Sequence, residues 1–407
     1  MPSHTAYDQL FQQHALRNIA QLTRSVEGTD VALADTDVDQ ALFTLGFTLT
    51  DPRFAQQSRQ LLVTLAPTLD THGHWESANA LFQQATVQSQ QQADREAVAH
   101  CYYYLGLFHQ RNSNWEKARH YYRDSAQLFL ALDLKTLAAR SLNRCAYVAI
   151  LDHQLDLATA LVDEALTLVE EGAQEYGYSH LVLGVIALRE EAWARSSDYS
   201  QRAATIVARH GELRHAAWAL VNQSAALRKM GQHHAAIAVL KEAIGHLEAR
   251  HDAFHLAIAR MNLGNVYQGL KEFETALHHY RAVGTLFQQM HDKYREGLLY
   301  SNVGWALIGL GRFEEGEEAI FYGNSCHLTG EQPQLAVENL LNLAVDWLAR
   351  DRAAEAPALL DEAEALLERL PYAAEQHRHR TRLRKLRAQT AAGPATPRSA
   401  DPAVSTD

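Results

Sequence analysis

Eight small residues recur along this chain at nearly constant intervals: Ala66, Gly106, Ala146, Gly184, Ser224, Gly264, Gly304 and Ala344, spaced 40, 40, 38, 40, 40, 40 and 40 apart. A fixed period of this size means a stack of copies of one structural unit, each packing only on its neighbours. Twelve residues after each register position a second small residue usually follows: Ala78, Ala118, Ala158, Ser196, Ala236, Ala276, Gly316 and Ala356. Sixteen after it stands a larger one, as at Phe82, Tyr122, Val162, Leu240, Tyr280, Ile320 and Leu360, with Ser200 the exception. Small residues return at nineteen, with Val283 the odd one out. Spacings of three and four put such residues on one helical stripe. Each unit is therefore expected to be two helices, A and B, held close by the small residues, with the larger ones filling the layer between.

Composition agrees with helix throughout. Only 9 Pro and 21 Gly occur in 407 residues, and hydrophobic content of 47% is ample for a continuous core. Net charge of −11 argues against nucleic-acid or anionic-membrane binding, which need surplus positive charge. Three scattered cysteines without CxxC spacing argue against a disulfide framework or zinc site. The opening residues lack the pattern of a secretory signal, and no uncharged apolar run reaches the ~18 residues of a membrane span. The expectation is a soluble cytoplasmic protein.

The run Leu263-Gly264-Asn265-Val266-Tyr267, with Ala276 and Tyr280 downstream, resembles the tetratricopeptide repeat, whose signature is L-G-x-x-Y followed by A, F and A at these offsets. The resemblance covers roughly residues 58–370 and implies an all-α, right-handed α-solenoid of about eight helix-turn-helix repeats. The departure is the longer period, so both helices should be longer than usual. Similar long units occur in kinesin light chains, bacterial peptide-pheromone receptors and the sensor arrays of signalling ATPases. Residues 1–57 are expected to be N-terminal capping helices, 371–392 a basic C-terminal helix, and 393–407 a disordered tail.

The resemblance also implies that helix A lines a concave face. It exposes positions six, three and two before the register residue, and one and four after it. Asn222, Asn262, Asn302 and Asn342 all fall two before, 40 residues apart, and match the groove asparagines of the family, which hold the backbone of an extended ligand. An amide donates and accepts at once, as a peptide backbone requires. Asn143 and Asn265 occupy adjacent groove positions. Recent repeat duplication or a structural amide bond explains the same regularity without a ligand.

Four such contacts at about 0.5–1.5 kcal/mol each reach only about 2–6 kcal/mol, whereas micromolar binding needs about 8. Anchors are required. Tyr103, Tyr147, Trp218, Met261 and Trp305 are large apolar or aromatic groups at groove positions, although burial between units would use them equally well. Arg111, Arg140, Arg144, Arg189, Arg228 and Lys229 form a positive strip in an acidic chain, suited to an acidic segment or terminal carboxylate; Arg144 takes the asparagine-row position. The 22 histidines include the pairs His233-His234 and His278-His279, without the carboxylate and third ligand of a metal site. No phosphate loop, nucleophile elbow or dinucleotide glycine pattern occurs, so neither cofactor nor catalysis is expected. A peptide- or protein-binding module is the first expectation. A ligand-responsive signalling receptor and a scaffold using its convex face are the alternatives, with partner and oligomeric state open.

Overall fold

The computed structural model describes residues 4–27, 35–71, 73–250, 252–289, 292–370 and 373–391, so the tail expected at 393–407 lies outside the described residues. Among these the chain forms 19 helices and no strand. Two helices come first, α1 (His4–Glu27) and α2 (Asp35–Thr48). Four pairs follow: α3 (Ala55–Thr71) and α4 (Trp75–Gln91), α5 (Arg95–Arg111) and α6 (Trp115–Ala131), α7 (Lys135–Leu151) and α8 (Leu155–Thr167), α9 (Gln174–Arg189) and α10 (Trp193–Arg209). The next four are α11 (Leu213–Lys229) and α12 (His233–Ala249), α13 (Ala253–Gly269) and α14 (Phe273–Gln289), α15 (Lys293–Gly309) and α16 (Phe313–Thr329), α17 (Pro333–Ala349) and α18 (Ala356–Leu367). The chain closes on α19 (Ala373–Ala391). This is the helical-repeat architecture of the solenoid class. No described helix is long and apolar enough to cross a membrane.

The period has a simple origin. Most helices are 17 residues long and most turns are three, giving a half-repeat of 20. Most described three-residue turns begin with a C-cap, pass through one residue with positive φ, and end on the N-cap of the next helix. At Asn112-Ser113-Asn114, Ser113 has φ 54°, and the Asn114 amide donates back to the His109 carbonyl at 2.9 Å. The Asn114 side chain then accepts from the Lys117 amide. The same six-to-one closure recurs from Asp94 to Ser89 and from Arg312 to Leu307. Gly311, at φ 78°, occupies the left-handed position without a Cβ penalty. The 38-residue interval falls where α8 stops after 13 residues and an irregular stretch leads to α9.

Small residues face large ones within the pairs. A Cβ built on Gly264 would lie 2.5 Å from the Tyr280 ring, and one on Gly106 would lie 2.8 Å from Tyr122. Both tyrosines are fully buried. Their hydroxyls are satisfied by helix A: Tyr280 donates to Asn265 Oδ1 (2.7 Å) or Gln268 Oε1 (2.9 Å), and Tyr122 to Gln110 Oε1.

Contacts divide the chain into two units, Met1–Ala226 and Leu227–Asp407. In the first, α1 and α2 pack on α3, burying Ile19, Val38, Leu45 and Leu49 with Leu61, Leu62 and Leu65. In the second, α19 packs on α17 and α18 through Leu383 and Leu386. Its Arg387 pairs with Asp361 and Glu364, and its Arg382 donates to Asn342 Oδ1 at 2.5 Å. The basic helix is thereby a packed terminal layer of the stack.

Candidate functional site

The first helices of five consecutive pairs, α3, α5, α7, α9 and α11, enclose a cavity of about 490 Å³ in the first unit. Helical period puts residues three and four apart on one face, so each helix contributes a stripe. α5 supplies Tyr103, Tyr104, Leu107 and Arg111; α7 supplies Arg140, Asn143, Arg144 and Tyr147; α9 supplies Glu175, Tyr178, Leu181 and Val182; α11 supplies His215 and Trp218, with Glu212 just before its first residue. The Tyr147 and Trp218 rings meet edge to face with centroids 5.4 Å apart. Tyr103 packs edge to face on Tyr104.

Charge inside this cavity is unevenly matched. Arg111 grips Asp70 through two contacts, Nε to Oδ1 at 2.5 Å and Nη2 to Oδ2 at 2.6 Å. Arg140 Nε lies 2.7 Å from Glu175 Oε1, whose side chain is only 1% exposed. Burial raises the Glu175 pKa, opposed by Arg140. Arg144 forms no ion pair with a carboxylate among the described residues; the phenols of Tyr103, Tyr122 and Tyr178 act on its charge, and its charge acts in turn on Glu175. It remains charged, held above the ordinary arginine value chiefly by Tyr103. His215 is pulled down to about 4, first by burial and next by the Arg144 charge, so it is neutral at pH 7. Its Nδ1 sits 3.2 Å from the Tyr178 hydroxyl and 3.1 Å from Glu212 Oε2.

Of the residues singled out from the sequence, Tyr103, Arg140, Asn143, Arg144, Tyr147 and Trp218 line this one cavity. Asn143 needs a correction, because its amide is spent on structure. It is 4% exposed, its Nδ2 donates to the Glu175 carbonyl at 3.2 Å, and its Oδ1 accepts from Ser179 at 2.9 Å. Arg189 is exposed at the end of α9 and does not line the cavity. The Asn222 amide nitrogen is buried without a partner among the described residues.

The second unit holds the rest. Asn302 makes no hydrogen bond among the described residues and is half-buried. Asn262 donates to the Ile258 carbonyl one turn back on its own helix, leaving its oxygen open. Asn342 is taken by Arg382 of α19. One further expectation is corrected by packing: Met261 is 6% exposed within the core around Tyr280. Asn265 is half-buried and its Oδ1 is one of two acceptors open to the Tyr280 hydroxyl, and Trp305 is half-buried against the last core of the second unit. Arg228 is half-buried, and desolvation lowers its pKa. Among the described residues no group of three His, Cys, Asp or Glu could hold a metal ion.

Glu175, Tyr178, Glu212 and His215 were not anticipated. Tyr178 stands six before its register residue Gly184 and was discoverable from that offset. Glu175, Glu212 and His215 lie in or beside first turns, where nothing in the sequence distinguishes a cavity wall from a cap.

Fold and site together define a helical-repeat protein whose first helices form a tyrosine- and arginine-lined hollow. A family model for soluble NSF attachment proteins matches residues 189–305. No curated protein matches the chain. Among solved structures, the apo form of the quorum sensor NprR from B. thuringiensis superposes with a TM-score of 0.59 at 12% identity, over 77% of this chain and 87% of that one. A signal-transduction ATPase from Pyrococcus horikoshii with a tetratricopeptide repeat sensor gives 0.56 at 14%, over 88% of this chain and 55% of that one. A Rap protein complexed with competence and sporulation factor gives 0.54 at 14%, over 83% and 99%. At these identities the likeness is one of fold, and the fold is that of tetratricopeptide-repeat proteins.

Proposed function

We propose that this protein is a binding module which receives a peptide or a segment of a partner protein on the face formed by its first helices. The observation that carries the reading is the cavity between α5, α7, α9 and α11, where aromatic walls surround an arginine with no carboxylate partner among the described residues. Rings such as Tyr147 and Trp218 supply contact area at low entropic cost. A ligand carboxylate on Arg144 adds a charge-assisted contact of about 1.5–3 kcal/mol. The Rap structure is a complex with competence and sporulation factor, and NprR is a quorum sensor. Both favour a regulatory receptor over a passive scaffold.

Selection from a random peptide display library tests this. Wild type should enrich related sequences. The variant Tyr147→Ala/Trp218→Ala, checked for intact helical melting, should lose the enrichment. Enrichment that survives it would remove the binding site from this cavity.

A further inference from the structure

We infer that the cavity of the first unit is an end-on receptor for a compact ligand with a free carboxylate beside an apolar or aromatic group, and that Arg144 is its counter-ion. The inference rests on the binding reading above and narrows it from an extended segment to a chain end or a small acid.

Three observations support it. First, the cations are not equivalent. Arg111 and Arg140 each have a carboxylate at 2.5 and 2.7 Å, so their charge is already answered. Arg144, on the same helix as Arg140 and one turn along, forms no ion pair among the described residues. The groups that raise its pKa are the phenols of Tyr103, Tyr122 and Tyr178, and the carboxylate that feels its charge, Glu175, is already held by Arg140. A guanidinium in a low-dielectric wall without an anion is costly, and a ligand anion relieves that cost. Its planar fork matches a carboxylate in two parallel bonds.

Second, the surroundings limit what else can arrive. Tyr103, Leu107, Tyr147, Leu181, Val182 and Trp218 wall the space with rings and aliphatic groups. An acidic stretch of several carboxylates would bring charges that these walls do not answer. One carboxylate attached to an apolar body fits.

Third, the volume is finite. About 490 Å³ lies in the range of small-ligand pockets, enough for two or three residues rather than a continuous strand.

His215 gives the site a readable signal. Arg144 is one cause of its depressed pKa, so an anion seated on Arg144 should raise that pKa; Glu212, Tyr178 and Arg214 are the other titratable groups that act on its ring.

The test is calorimetric titration of the full chain with a tripeptide ending in Phe as free acid, the same tripeptide as C-terminal amide, and 3-phenylpropanoate. Wild type should bind the free acid at least about tenfold tighter than the amide. Arg144→Gln should erase the difference between them, Arg144→Lys should keep part of it, and helical melting should report that both variants fold. Phenylpropanoate binding as tightly as the peptide assigns the site to free small acids, whereas binding only by the peptide assigns it to chain ends. Equal affinity of acid and amide in wild type, a preference that survives Arg144→Gln, or no saturation by any probe up to the millimolar range overturns the inference. The broader binding reading then stands or falls on the display selection alone.

Discussion

Arg140 and Glu175 meet at 2.7 Å across α7 and α9, with the carboxylate 1% exposed and the guanidinium open to the cavity. The pair couples the third repeat to the fourth and neutralises one positive charge in the hollow. Arg140→Ala strands a buried carboxylate. Because Arg140 is 42% exposed, the loss should be smaller than for a fully buried pair, about 2 kcal/mol, and Glu175→Gln in the same chain should restore part of it. Urea denaturation of the single and double variants checks both outcomes.

The contact between Gly264 and Tyr280 predicts a second effect. Gly264→Ala places a methyl 2.5 Å from the ring, in a core already filled to van der Waals contact. Overpacking should cost about 1–3 kcal/mol. Calorimetry should show a lower Tm, recovered in part when Tyr280 is shortened to Leu. A Tm unchanged by Gly264→Ala would contradict the small-against-large packing of helices A and B.

A third prediction concerns pH. His327 is 1% exposed, and burial lowers its pKa to about 4. Ser301 Oγ gives its proton to the Gly297 carbonyl at 2.8 Å and accepts from Asn339, so it can take a further proton only from His327 Nε2, 3.3 Å away. Nδ1 then has no partner and sits where a Cβ on Gly297 would collide with it. A second proton has nowhere to bond. The unfolded chain binds that proton near pH 6.5 and the folded chain does not, so stability is full above about 6.5 and falls as pH drops toward 4. The loss is on the order of 3 kcal/mol at most for this residue. His215, also lowered to about 4, acts in the same direction. Urea midpoints measured across this range should decline with acidification, and His327→Gln should flatten the slope.

The terminal helix gives a fourth. Leu383 and Leu386 are 2% and 6% exposed against α17 and α18. Replacing both by Asp should unfold the last pair and expose Trp347, read as a shift in tryptophan emission. Arg384→Glu, on the exposed side, should leave the emission unchanged.

Much of the fold was legible because the small residues that govern helix approach repeat in step, and a Cβ at Gly106 or Gly264 would collide with a ring. The site was legible only in part. The offset rule gathered Tyr103, Arg140, Arg144, Tyr147 and Trp218, since one helix face is fixed by a period of 3.6. It failed for Asn143, because sequence does not show whether an amide is already satisfied by a neighbouring backbone. It failed for Met261 because a groove position and a core position are one residue apart on a helix. The asparagine row is regular in sequence, yet its four members meet four different environments.

The most direct measurement is hydrogen exchange of the full chain with and without the tightest peptide from the display selection. Slowed exchange concentrated in α5, α7, α9 and α11, and absent when Arg144 is Gln, is the expected result. Slowing confined to α6, α8 and α10, or unaffected by that substitution, would place the ligand on the other face and contradict the account.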